Sequence, residues 1–134
     1  MRGERPDLLD RIRAICADLP DVTERLSHGT PNFYVRGRKA FVTVWPDGHH
    51  GETFAQLWCA APDGAQALLV GSDPDVYFRP PYVGGRGWLG VRLDGAVDWD
   101  DVRDVCEDAF RCVAPAALVA EWDDGSDSPL DADG

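Results

Sequence analysis

The segment from Arg25 to Ala60 constrains the fold most strongly, because it is a series of short runs rich in β-branched and aromatic residues. The runs are NFYV, AFVTVW and TFAQLWCA, separated by RGRK and by PDGHHGE. Gly37 in the first connection can adopt positive φ, and the Pro-Asp-Gly sequence in the second is favoured in tight turns. We therefore predict three antiparallel strands joined as hairpins, with VTERLSH before them as a short extended lead-in.

Helical patterns lie on both sides of this segment. Pro6 suits a first helical position, and apolar residues then recur at helical spacing up to Pro20, which predicts a helix over residues 6–19. After the strands, DGAQALLV predicts a short helix over 63–70 that ends at Gly71. Near the end of the chain, Asp98 can cap the helix WDDVRDVCEDAFRCVA, which has an apolar stripe and an acidic face, and a short helix PAALVAEW follows.

Two more strands are predicted before that capped helix. Residues 76–79 favour a brief strand, and WLGVRL places its leucines and valine on one face and Trp88 and Arg92 on the other. The order is therefore α-β(3)-α-β(2)-α. This order predicts an α+β fold of two layers, in which an antiparallel sheet has helices on one face.

The negative charge of the chain is concentrated near its end. The 134 residues carry a formal net charge of -11, and the segment EWDDGSDSPLDADG contains six acids and no base. The other 120 residues hold 18 acids and 13 bases, a net charge of -5. Few apolar residues follow Trp122, which predicts a disordered tail. We therefore divide the chain into one domain over 1–120 and an acidic tail over 121–134.

The sequence contains none of the HEXXH, Walker A or GxSxG patterns. The four cysteines form no C-x-x-C pair, so we interpret them as buried reduced thiols. Asp47, His49, His50 and Glu52 share one turn, but exposed polar residues are what a turn contains, and we assign no metal there. We accordingly expect a non-enzymatic protein with no cofactor.

No apolar run approaches the length of a membrane span, and the charged start MRGERPDLLDRIRAICADLP lacks an apolar signal-peptide core. We expect a cytoplasmic protein that does not contact a membrane.

Positive charge is concentrated in two windows that contain no acid, residues 25–45 and 76–93, which hold seven of the 13 bases. A local positive field of this kind is typical of an anion-binding surface. The alternative is that these bases lie on ordinary solvated strand edges and discourage aggregation. The candidate contacts to phosphate or another anion are Arg36, Arg38, Lys39, Arg79 and Arg86.

The second window contains the loop RPPYVGGRGW. Its two prolines restrict the chain, its glycines let the backbone approach a partner closely, and Arg86 can form a forked contact to phosphate. Tyr82 and Trp88 flank Arg86 and are candidate stacking surfaces. In the alternative interpretation, Trp88 anchors a structural bend against the core.

Four stretches together resemble the MmcQ/YjbR family of small bacterial proteins, over about residues 6–119. They are SHGTPNF, the hairpin around RGRK, PPYVGGRGWLGVRLDG and WDDVRDVCEDAFRCVAP. The resemblance implies a fold similar to secretion chaperones and a proposed double-wing DNA-binding role. The family commonly has an aromatic residue such as Trp where this chain has His28. The motif positions that the resemblance implies are His28, Gly29, Thr30, Pro31 and Phe33 in the bend, and Pro81, Tyr82, Gly84, Arg86, Gly87 and Trp88 in the loop.

Our leading hypothesis is a DNA-binding protein that uses the basic hairpin and the glycine-rich loop as wings. Its binding should be weak and salt-sensitive, because a net charge of -11 opposes association with phosphates. The alternative is a module that binds a small anionic ligand or a protein between the SHGTP bend, Tyr82 and Trp88. A third hypothesis, by analogy with secretion chaperones, is an adaptor whose sheet face binds a partner chain.

Overall fold

The computed structural model describes residues 4–49 and 53–133, with side chains described for 8–49 and 53–124. Its centre is an antiparallel six-stranded sheet in the order β1-β2-β3-β4-β6-β5. The elements in chain order are α1 (Glu4–Ala17), β1 (Val22–Ser27), β2 (Thr30–Val35), β3 (Lys39–Trp45), β4 (Gln56–Cys59), α2 (Ala65–Ser72), β5 (Tyr77–Phe78), β6 (Leu89–Arg92), α3 (Trp99–Val113) and α4 (Ala116–Asp133).

The predicted α+β class, with an antiparallel sheet and helices packed on it, is confirmed, and the sheet has one strand more than predicted. The lead-in VTERLSH is the edge strand β1, which pairs with β2 from Val22 opposite Val35 to Ser27 opposite Thr30. His28 and Gly29 join the two strands with φ values of 55° and 77°, the left-handed geometry of a tight hairpin turn. The first strand group therefore has four strands instead of three.

The sheet has one face that is covered by helices. Strand register places Val42 opposite Cys59 and Val44 opposite Leu57, and all four side chains are fully buried. Phe110 of α3 packs edge-on against Phe41, with ring centroids 6.0 Å apart. Burial of each large apolar side chain contributes about 1.5–3 kcal/mol, so this layer is the main source of stability.

Helix α3 begins where the sequence predicts. The side chain of Asp98 accepts hydrogen bonds from the backbone amides of Asp100 at 3.0 Å and Asp101 at 3.4 Å. These bonds satisfy two of the amide groups that a helix start leaves unpaired, and the carboxylate also complements the positive end of the helix.

Helix α4 covers the start of the segment that we predicted to be a tail. Trp122 lies against Phe110 with ring centroids 5.2 Å apart, and Arg111 forms an ion pair with Asp123 at 3.0 Å. Trp122 and Asp123 of α4 therefore contact α3. Beyond Asp124 no side chain is described, and the disordered acidic tail stays a prediction.

The cysteines differ from one another in exposure. Cys16, Cys59 and Cys106 are buried reduced thiols as predicted, but Cys112 is exposed, because it lies on the outer side of α3. Burial raises the pKa of Cys106 to about 12 and raises that of Cys59 well above its ordinary value. These buried thiols therefore stay protonated at neutral pH. Within the described part of the chain, no helix is long and apolar enough for a membrane span.

Candidate functional site

The face of the sheet opposite the helices forms an open groove of about 1130 Å³. One row of paired residues forms its floor, from Asn32 on β2 through Thr43 on β3 to Trp58 on β4. This row alternates with the buried row that contains Val42 and Leu57, because successive side chains of a strand point to opposite faces. The groove is lined by Ser27, His28, Thr30, Asn32, Tyr34, Lys39, Ala40, Thr43, Trp45, His49, Trp58, Tyr82, Val83, Arg86, Trp88 and Val113.

The polar side chains of the floor bond to one another or to the backbone. The Thr43 hydroxyl donates to Asn32 Oδ1 at 2.6 Å, and Asn32 Nδ2 donates to the Thr30 carbonyl at 3.1 Å. Trp58 Nε1 donates to Gln56 Oε1 at 2.8 Å. These hydrogen bonds therefore use the side-chain donors of Thr43, Asn32 and Trp58.

An aromatic cluster closes one part of the groove. The imidazole of His49 lies 4.6 Å from the Trp45 ring, 4.8 Å from the Trp58 ring and 5.9 Å from the Tyr82 ring, between centroids. His49 is only 8% exposed. Among the described side chains, the indole nitrogen of Trp45 is the one buried polar atom without a hydrogen-bond partner.

This cluster corrects our interpretation of the β3–β4 turn. We expected His49 to be an exposed polar residue of that turn, but the turn folds back and buries it among the rings. Two further polar residues that we placed in this turn, at positions 50 and 52, lie outside the described residues. No group of three or more metal-ligating side chains is found among the residues that are described.

The loop over residues 79–88 is tethered to α2. Gln66 Nε2 donates to the carbonyl of Gly84 at 2.9 Å and to that of Trp88 at 2.6 Å. Gly84 is required by close packing, because a Cβ there would lie 2.7 Å from Cγ of Arg79. The loop is therefore held in one conformation from two sides.

Tyr82 has an unusual backbone in this loop. Its φ and ψ are 66° and -65°, and the Val83 amide donates to the Pro81 carbonyl at 2.7 Å. This is a classic γ-turn, a strained conformation that is rare for a residue with a side chain. The Tyr82 side chain is nevertheless 79% exposed at the edge of the groove.

Only some residues of the two predicted motifs, the SHGTPNF bend and the glycine-rich loop, line the groove. His28 from the bend and Tyr82 and Trp88 from the loop all line it. Pro31 and Phe33 are buried and pair in register with Leu26 and Val42, so they belong to the helix-covered face instead.

The five predicted cations are also separated. Lys39 and Arg86 line the groove, and the guanidinium carbon of Arg86 lies 5.5 Å from the Trp88 ring centroid. Arg38 is exposed at the β2–β3 hairpin tip. Arg36 forms an ion pair with Asp21 at 3.2 Å, and Arg79 lies along the outside of the loop against Gly84.

The charge of the groove differs from that of the whole chain. No aspartate or glutamate is found among the described residues that line it, although the chain contains 24 acids. Several bases elsewhere are paired, including Arg13 with Glu24 at 2.8 Å and Arg103 with Asp18 at 2.9 Å. The groove is thus aromatic, free of acids where described, and bordered by cations.

Comparisons with known proteins agree with this architecture. The family model described as YjbR matches residues 17–112. The crystal structure of the Deinococcus radiodurans protein DR2400, a DUF419 domain, is similar with a TM-score of 0.68 and 17% sequence identity. The match covers 85% of this chain and 86% of that chain, and at this identity it shows the fold alone. The search among curated proteins found no match.

Proposed function

The chain belongs to the YjbR family, and we propose that it is a non-enzymatic nucleic-acid-binding protein whose contact surface is the open groove. The family match confirms the resemblance drawn from the sequence motifs. Because family membership alone leaves the activity open, the proposal is argued from the site.

The observation that carries the proposal is the acid-free, cation-bordered lining of the groove in a chain with a net charge of -11. Charges separated by more than about 8–10 Å of physiological salt solution are largely screened. A phosphate at the groove therefore interacts mainly with nearby groups such as Lys39 and Arg86. Acids paired on the helix-covered side, such as Glu24 and Asp18, contribute little at that distance.

The positions of the cations support fewer phosphate contacts than the five that we predicted from the sequence. Lys39 on the basic hairpin and Arg86 on the loop reach the groove from two different elements, and Arg38 stands exposed beside Lys39. We propose these three as the main contacts. Arg36 is already engaged by Asp21, and Arg79 packs against the loop, so they have secondary roles.

Binding should be modest and strongly salt-dependent. Each phosphate that is neutralised releases counterions, and the logarithm of the affinity falls with the logarithm of salt concentration by roughly 0.7–0.9 per contact. With two or three contacts, we expect a total slope of about -2, which is far below that of strongly basic DNA-binding proteins.

The test is fluorescence anisotropy of labelled single-stranded and duplex DNA with Arg86→Glu and Lys39→Glu variants of the full chain. Each variant should weaken binding several-fold at low salt and reduce the salt slope by about one. The matched control is Arg11→Glu, which changes the net charge equally at an exposed position of α1. If the control weakens binding as much as Arg86→Glu, or if the wild-type chain binds neither DNA, the proposal is wrong.

A second candidate function is the binding of a small anion that contains a planar ring. The observation that favours it is the size of the groove, about 1130 Å³, which is near the range of roughly 300–1,000 Å³ for small-molecule sites. Mononucleotides and other aromatic anions can be tested by thermal shift. Stabilisation by such a compound, without any DNA binding, would favour this function over the first.

A further inference from the structure

We propose that the groove stacks unpaired bases, so that its partner is single-stranded nucleic acid and binding tolerates different base sequences. This inference rests on the proposed function and specifies the partner of the same groove. Three features of the described residues carry it: the conformation of Tyr82, the bonding of the floor, and the position of Arg86 beside Trp88.

Tyr82 is presented as a stacking platform. A tyrosine ring that is 79% exposed gains little from the protein core, yet its backbone is held in a strained γ-turn. Strain of this kind persists only where the surrounding structure enforces it, and it concentrates at functional sites. Here part of the enforcement comes from Gln66, which holds the carbonyls of Gly84 and Trp88 in the same loop.

The hydrogen bonds of the groove floor argue against recognition of individual bases through their edges. Discrimination between bases requires free donors and acceptors aimed at their edges. The Thr43 hydroxyl donates to Asn32, the Asn32 amide nitrogen donates to Thr30, and the Trp58 nitrogen donates to Gln56. The exposed ring of Tyr82 at the edge of the groove remains available, and ring stacking is possible with any base.

Arg86 and Trp88 supply the other half of a single-strand site. The guanidinium carbon lies over the half-buried Trp88 ring, 5.5 Å from its centroid, so a cation and an aromatic ring are adjacent at the groove. Single-strand-binding proteins combine such cations, which contact the backbone, with rings that contact successive bases. A duplex keeps its bases stacked inside and would leave Tyr82 and Trp88 without a ring to contact.

The experiment uses the full chain and three labelled probes of equal length: a mixed-sequence single strand, a strand with the same phosphates but abasic sites, and a duplex. We expect the single strand to bind best and the abasic strand to lose at least tenfold. Tyr82→Ala should weaken single-strand binding by roughly 5–100-fold, because loss of one stacking ring has an effect of this size. Tyr82→Phe should retain it.

Two controls separate stacking from damage to the fold. Leu68→Ala removes another exposed apolar side chain, 72% exposed on α2, and should leave binding unchanged. Thermal melting of Tyr82→Ala shows whether the variant is folded. If that variant is not folded, Tyr82→Ser tests the same stacking. The abasic strand tests it with the wild-type chain, whose contacts to phosphate are unchanged.

The outcomes distinguish this inference from the proposed function. Equal binding of abasic and intact strands, tighter binding of the duplex, or full binding by a folded Tyr82→Ala variant would overturn stacking but leave nucleic-acid binding standing. A more than tenfold preference among the four homopolymers would overturn sequence tolerance. Failure of all three probes to bind would overturn both.

Discussion

The tether between Gln66 and the 79–88 loop gives the sharpest prediction of stability. Gln66→Glu keeps the size and shape of the side chain but removes both N–H donors. In their place it puts a carboxylate oxygen near the carbonyls of Gly84 and Trp88, at the positions that now hold hydrogen bonds of 2.9 and 2.6 Å. Both partners are acceptors, so no reorientation of the carboxylate restores a bond.

The size of the effect follows from these contacts. Each hydrogen bond contributes a net of about 0.5–1.5 kcal/mol, and an acceptor left without its donor adds a further penalty. We expect the free energy of unfolding to fall by about 2–3 kcal/mol, which for a domain of this size lowers the melting temperature by roughly 6–12 °C. The amide of Trp88, which donates to the Val83 carbonyl, should also exchange faster with solvent.

Urea denaturation at pH 7 measures the change, with Ala67→Glu as the matched control. Ala67 is exposed on the same helix, so the control adds an equal charge without facing the loop carbonyls. If the two variants have the same unfolding free energy within about 0.5 kcal/mol, the tether does not stabilise the loop and our account of it is wrong.

Three other predictions test the packing. Gly90→Ala should cost about 1–3 kcal/mol in urea denaturation, because a Cβ at Gly90 would lie 2.4 Å from the Phe78 ring; an unchanged midpoint would show that the ring moves aside freely. In the folded chain at pH 8, only the exposed Cys112 should react with a thiol reagent, and slowly, since burial raises its pKa; modification of a second thiol would contradict the packing. A chain that ends after residue 120 should melt several degrees lower than one that ends at Asp124, because it lacks Trp122; equal melting would show that α4 adds no packing there.

The sequence predicts those elements whose signal is local. Helix α3 combines a capping aspartate at Asp98 with an apolar stripe, and both features depend only on residues within a few positions of each other. Strand β1 has no such signal. Most of its side chains are exposed, and its pairing with β2 along its whole length is what makes it a strand. Edge strands of this kind depend on their neighbour more than on their own pattern.

The candidate site shows the same division. The sequence singled out Tyr82, Arg86 and Trp88, because a loop with prolines, glycines and aromatic residues is unusual by itself. His49 was missed, since nothing in the sequence PDGHHGE distinguishes a histidine that is buried among tryptophans from one that faces solvent. No local pattern in the sequence marks Gln66, whose two partners are 18 and 22 residues away.

The sequence by itself therefore determined the α+β class, the helix-covered core and the loop that bears Tyr82. These follow from periodicity, capping and backbone preference, which act between near neighbours in the chain. Only the tertiary structure decided that Lys39 and Arg86 border one groove, that Pro31 and Phe33 face the core, and that His49 is buried among aromatic rings. Those outcomes depend on strand order and register, which are set by the packing of the whole sheet and place residues far apart in sequence side by side.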